Sequence, residues 1–153
     1  MASRAELVRR LQSDVAETVA DGVALQEAIA DRLGLSGSDL RAITLLMRAG
    51  TASAGDLAEA AQLTTGAATR MIDRLERAGW VSRHPDSTDR RRVLVVLTKA
   101  RRGEVGELYA GMANGWIDAL ADKTDDELVS VLDIFDRMRG LAREHAAALA
   151  SGD

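Results

Sequence analysis

Leu63 to Thr98 reads LTTGAATRMIDRLERAGWVSRHPDSTDRRRVLVVLT, and two changes of period inside it decide the fold. From Thr65 to Ala78 the apolar residues Ala68, Met71, Ile72, Leu75 and Ala78 recur at helical spacing. Thr64 suits the N-cap, where its hydroxyl can accept an early backbone N–H, and Gly79 suits the C′ position. After Gly79 the period shortens: Trp80-Val81-Ser82-Arg83 and Arg92-Val93-Leu94-Val95-Val96-Leu97 read as two β-strands. Pro85-Asp86-Ser87-Thr88-Asp89-Arg90-Arg91 lies between them as a polar turn with cations at its tip. A helix followed directly by such a hairpin is the second half of a winged helix-turn-helix.

Upstream, Ser53-Ala54-Gly55-Asp56 has the spacing of a capping box and starts a short helix carrying Leu57, Ala60 and Ala61. Gln62-Leu63 is the turn between the two helices. The helix before that is expected to start at Ser38 as N-cap, to point Leu40, Ile43, Leu46 and Met47 inward, and to end at Gly50. Ala5 to Leu33 repeats Leu7, Leu11, Val15, Val19, Val23, Ala30 and Leu33 at spacings close to helical, ending at Gly34. A helix this long in a small protein is seldom buried by its own chain, so it suggests a partner. After the hairpin two further long helices are expected. One runs from about Lys99 to Ala121 with Val105, Leu108, Met112, Trp116 and Leu120 on one face. The other is opened by the capping box Thr124-Asp125-Asp126-Glu127 and carries Leu128, Val131, Leu132, Phe135, Met138, Leu141 and Ala142. The Ala-rich stretch from Ala146 to Asp153 is expected to fray.

The expected fold is therefore mostly α with a small β-hairpin wing. Residues 36–98 form a winged helix-turn-helix DNA-binding domain, and residues 1–35 and 99–153 form a helical dimerisation region. The 153 residues suffice for a real core. No apolar run reaches the roughly 18–20 residues that span a bilayer, and Met1 to Arg10 has no signal-peptide stretch, so no membrane is expected and the cytoplasm is the expected location.

The net charge of −4 argues against nucleic acid, but its distribution reverses that. Residues 64–102 hold ten basic and four acidic side chains, a balance of +6, which leaves −10 for the rest. A basic segment on an acidic body points to a local polyanion site. Within it, Thr65, Gly66 and Thr69 are small enough for close approach to a groove. Arg70, one turn further in, carries the fork that matches guanine O6 and N7. Thr64, Thr65, Gly66, Thr69, Arg70 and Arg74 are the recognition-helix candidates, though Arg74 and Arg77 can instead pair with Asp73 or Glu76 along the helix. In the wing, Asp89 can hold a neighbouring cation and Arg91 can then enter the electronegative minor groove. Arg83, Arg90 and Arg92 contact phosphate or steady the hairpin. The bland alternatives are a solvated arginine on an exposed face and an ordinary charged hairpin tip.

Enzyme chemistry finds no constellation here. Neither His84 nor His145 sits with a nucleophile, no phosphate-binding glycine loop is present, and no cysteine is available for thiol chemistry or thiol sensing. A metal site from His84, Asp86 and Asp89 is conceivable, but loop residues of these types are far more often solvated, so neither metal nor cofactor is expected. Met112 and Trp116 fit a core better than an effector pocket.

The stretch also resembles the signature of the MarR (multiple antibiotic resistance regulator) family. The matching pieces are Thr69-Arg70, Asp73-Arg74-Leu75-Glu76, Gly79-Trp80-Val81, Arg83, Asp89-Arg90-Arg91 and Leu97-Thr98, with Asp39-Leu40-Arg41 and Gly55-Asp56-Leu57-Ala58 upstream. One departure is Arg101, where the family usually has Gly; it touches only the start of the fifth helix. The resemblance implies a homodimer with interlocked first and last helices. It implies double-stranded DNA as partner and repression from a pseudo-palindromic operator. It also implies release by a small phenolic or lipophilic effector. A winged-helix protein-interaction or ligand-binding module without DNA binding is the alternative, which a cationic wing and Arg70 disfavour.

Overall fold

The computed structural model describes residues 2–86 and 93–151. Among them six helices and three strands run in the order α1 (Arg4–Leu33), α2 (Gly37–Ala49), β1 (Thr51–Ser53), α3 (Ala54–Ala61), α4 (Thr65–Arg77), β2 (Val81–Pro85), β3 (Val93–Leu97), α5 (Lys99–Ala119) and α6 (Asp125–Ser151). The mostly helical winged helix-turn-helix fold read from the sequence is the one observed. The chain divides into two compact units, Met1–Leu108 and Tyr109–Asp153.

In the first unit, local chemistry sets the ends of the helices. Ser3, Ser36 and Ser53 each accept from the backbone N–H three residues on, and Glu6, Asp39 and Asp56 reach back to complete capping boxes. The second helix thus starts from Ser36, not from Ser38 as the sequence suggested. The acid that closes the box, Asp39, stands three residues after Ser36 and only one after Ser38. Thr64 caps α4 through Ala67 N–H, and Gly34 and Gly79 take left-handed conformations at helix ends (φ 65° and 73°).

The strands form one antiparallel sheet in the order β1-β3-β2. Val81 pairs with Leu97 and Pro85 with Val93, so β2 runs two residues beyond its expected end at Arg83. Pro85 is tolerated because β2 is an edge strand. The unexpected strand β1 pairs Ala52 with Val95.

The core lies between α2, α3, α4 and the sheet. Leu40, Ile43, Leu46, Leu57, Met71, Ile72, Val95 and the α5 residue Val105 are its largest fully buried side chains. Of the five inward residues expected of α4, Ala68, Met71, Ile72 and Leu75 are buried, and Ala78, which forms the C-cap, is exposed. α1, by contrast, buries only Ile29 and Ala30, where its last turns meet α2. Leu7, Leu11, Val19 and Val23 stand in solvent.

The second unit contains the later part of α5 and all of α6. α6 opens with the expected box: Glu127 N–H donates to Thr124 Oγ1, and Thr124 N–H to Glu127. It continues as helix through the Ala-rich stretch to Ser151. None of its described residues is buried. Met112 and Trp116, expected in the core, are 48% and 49% exposed. A pair of helices has no interior of its own in which to bury both apolar faces.

Candidate nucleic-acid interface

The site grows from α4. Its inner stripe fixes the rotation of the helix, and at 100° per residue that turns Gly66, Arg70 and Arg77 outward. Thr64, Thr65, Gly66, Thr69, Arg70, Arg74 and Arg77 are all exposed. The Thr69 hydroxyl donates back to the Thr65 carbonyl at 3.0 Å. Arg70 reaches towards the helix N-terminus over Gly66: a methyl at Gly66 would meet its Nη1 at 3.8 Å, an ordinary contact. No ion pair or hydrogen bond engages its guanidinium among the described residues. The start of the helix therefore presents small polar groups and one uncommitted fork, the pattern needed to approach base edges.

The neighbouring arginines are spoken for. Arg74, a recognition-helix candidate for which pairing along its own helix was the alternative, makes neither of its possible in-helix pairs among the described residues. Its Nη2 donates to Asp39 Oδ1 at 2.5 Å, across to α2. Arg83 takes both acids of α4 instead, with Nη2 on Asp73 Oδ1 at 2.6 Å and Nη1 on Glu76; its backbone N–H also donates to Glu76 at 3.1 Å. Burial works to lower the Arg83 pKa, but hydrogen bonds and charge from Asp73 and Glu76 outweigh it and hold it above the ordinary arginine value. Arg77 is the exception: among the described residues it keeps only a bond from its Nε to the Asp73 carbonyl at 3.1 Å, and its side chain is exposed. Arg83 thus steadies the hairpin against the helix. Asp89, Arg90, Arg91 and Arg92 lie outside the described residues.

Three further arginines act as struts that local patterning did not reveal. Arg102 donates to the Leu46 and Met47 carbonyls at the end of α2. Arg41 donates to Ala61 O at the end of α3. Arg101, the departure from the family pattern in the first turn of α5, lies 4.3 Å above the Trp80 ring and pairs with Glu104. The partners are 55 and 20 residues away for Arg102 and Arg41, so no short-range pattern encodes them. His84 bonds to Ser82 through its ring at 3.0 Å. Among the described residues no group of three or more metal-ligating side chains comes together, and no helix is long and apolar enough to cross a membrane.

The first unit also holds a cleft of about 710 Å³ between α1 and α2. Val19, Val23 and Leu40 give it an apolar wall, and Arg41, Thr44 and Arg48 a polar one. The Thr44 hydroxyl is buried without a hydrogen-bond partner among the described residues.

Residues 35–93 match the MarR family. The HTH-type transcriptional regulator YcgE of Bacillus subtilis (strain 168) is 32% identical over 127 residues, covering 83% of this chain and 82% of that protein. A MarR family transcriptional regulator from Silicibacter pomeroyi DSS has the same fold with a TM-score of 0.63 at 20% identity, over 90% of this chain and 92% of that one. NadR, solved in complex with 4-hydroxyphenylacetate, gives a TM-score of 0.56 at 24% identity, over 90% of this chain and 93% of its own.

Proposed function

Since the chain belongs to the MarR family of winged helix-turn-helix, DNA-binding transcriptional regulators and not to an enzyme family, we propose that it is a homodimeric repressor of a pseudo-palindromic operator, released by a small-molecule ligand. The observation that carries the reading is the outer face of α4, where the unengaged Arg70 stands beside exposed Thr65, Gly66 and Thr69. In this reading α4 enters the major groove, Arg70 reads a guanine, and Thr64 and Thr65 meet the backbone at the helix N-terminus. Residues 36–98 bind DNA, and the wing, with Asp89 orienting Arg91, meets the minor groove. Arg90 and Arg92 contact phosphate.

Residues 1–35 and 99–153 make the dimer. The support is the apolar surface that one chain leaves uncovered: Leu7 and Leu11 on α1, and Leu132, Phe135 and Leu141 on α6. Two-fold symmetry then calls for half-sites about 10–10.5 base pairs apart, or a multiple of that. The cleft between α1 and α2 supports ligand control. Its volume of about 710 Å³ suits a small organic molecule. Its apolar wall suits an aromatic ring, and Arg41 and Arg48, facing Glu27 and Asp31 across the same lining, suit a polar substituent; a phenolic acid is the class of ligand that NadR holds. Such a ligand releases the operator only if it binds the DNA-free arrangement more tightly.

Fluorescence anisotropy with the duplex upstream of the protein's own gene, at two salt concentrations, tests the reading. Wild type should bind tightly and salt-sensitively, and Arg70→Ala and Arg91→Ala should each weaken binding. Failure to bind that duplex or any member of a random-sequence library at low salt would refute it.

A further inference from the structure

We propose that Asp39 is a positioning residue for the recognition helix: one oxygen of its carboxylate closes the cap of α2 while the other holds Arg74 of α4. Asp39 is 4% exposed, one of two buried polar or charged residues among those described. Burying a carboxylate costs several kcal/mol unless its acceptor sites are filled, and here they are filled from two helices. The Ser36 N–H and hydroxyl reach Oδ2 at 3.1 and 2.7 Å, and Arg74 Nη2 reaches Oδ1 at 2.5 Å.

Capping does not require this burial. Ser3–Glu6, Ser53–Asp56 and Thr124–Glu127 make the same reciprocal bonds with the acid exposed. At Asp39 alone among the four boxes the acid is buried, and there the fold adds an ion pair to a residue 35 positions later.

The pair sits where it controls aim. On the helical wheel Arg74 lies on one flank of α4, and Asp73 and Glu76, held by Arg83, lie on the other. The helix is braced from both sides, with Arg70 and Gly66 between the braces. From Arg74 to Thr65 is nine residues, about 13 Å of helix, so a tilt of about 10° moves the reading end by about 2 Å. Hydrogen bonds to bases do not survive a shift of that size. Contacts to phosphate from flexible side chains do. Loss of the brace should therefore cost specific binding far more than non-specific binding. This inference rests on the DNA-reading assignment of α4 and adds to it a residue that touches no DNA.

The test is a double-mutant cycle on the full-length protein with Asp39→Asn, Arg74→Gln and both together. Affinity is measured for a duplex that wild type selects from a random-sequence library and for an unrelated duplex, each at several salt concentrations. Each single variant should weaken specific binding about 5- to 30-fold and leave non-specific binding within about twofold. The double variant should be no worse than the weaker single, and Arg74→Lys should recover part of the loss. Urea unfolding of the same variants separates tilt from collapse, and Arg74→Gln leaves the Ser36–Asp39 cap in place. Independent losses that multiply in the double variant would overturn the proposal. So would equal losses on both duplexes, or a salt dependence that falls with Arg74→Gln alone, with Asp39 in place, because Arg74 would then be a phosphate contact. If wild type selects no duplex at all, the DNA-reading assignment fails first and the positioning role falls with it.

Discussion

Replacing Arg70 with alanine should separate recognition from stability more cleanly than any other change in α4. Its guanidinium has no ion pair or hydrogen bond among the described residues, and the side chain is exposed, so truncation removes nothing that holds the fold. The unfolding midpoint in urea should stay within the equivalent of about 0.5 kcal/mol of wild type. On DNA the loss should be large. A bidentate arginine–guanine contact contributes about 1–3 kcal/mol of discrimination. In the proposed dimer two copies act, so the operator should lose about 2–6 kcal/mol if the half-sites are independent. At 1.4 kcal/mol per tenfold, that is a weakening of between about 30-fold and 20,000-fold. Anisotropy titrations against the selected operator and a set of single-base variants give both affinity and preference. In the Arg70→Ala protein preference should relax at one base pair in each half-site and persist elsewhere. The reasoning is refuted if affinity is unchanged, if every position loses preference equally, or if the variant is markedly less stable.

Four further outcomes follow from the same geometry. Wild type should scatter light as a dimer at micromolar concentration, and Leu132→Asp with Phe135→Asp should drive it to monomer, because each puts a charge on an apolar face that one chain leaves exposed. Arg83→Ala should cost about 1–2 kcal/mol in urea unfolding, a modest figure because both ion pairs are partly solvated, although Asp73 and Glu76 are left without their shared cation. Arg77→Gln should lower the salt dependence of operator binding by about 1.8 per dimer, two phosphate contacts at about 0.9 each, whereas Arg74→Gln should not. Hydrogen bonds from the Thr124 N–H and hydroxyl hold the Glu127 carboxyl below its ordinary pKa, so the contribution of this cap is complete above the ordinary carboxyl range and is lost as pH falls through the lowered value. In an NMR titration Thr124→Ala should move Glu127 back towards the ordinary glutamate value.

Much of this fold was legible because its signals are local. The caps at Ser53, Thr64 and Thr124 and the stop at Gly79 depend on residues within three or four positions, and each stands where the sequence puts it. The start of α2 was misread for a local reason: two serines flank Gly37, and only the spacing to Asp39 distinguishes them. β1 is different in kind. Three residues carry no period, and Thr51–Ser53 is a strand only because β3 offers its edge to it. The exposure of Met112 and Trp116 has a third cause. Periodicity reports that a helix has an apolar face, not which chain covers it.

The arginines mark the deepest limit of the sequence reading. Counting charge over residues 64–102 treats ten cations as one polyanion site, yet the six arginines among the described residues are of two kinds. Arg74, Arg83, Arg101 and Arg102 are engaged by carboxylates, carbonyls or an indole ring, and they fix α4, the hairpin and α5 against α2. Arg70, and Arg77 apart from one bond to a backbone carbonyl, keep their charge turned outward. Arg74, held by a buried carboxylate, cannot give the same donors to a phosphate, so it should add little to counterion release. In the proposed reading the braces act on DNA through geometry, by fixing the angle at which Arg70 would meet the groove. A basic segment of this kind acts at two levels, and only the contacts between distant helices distinguish a residue that reads from a residue that aims.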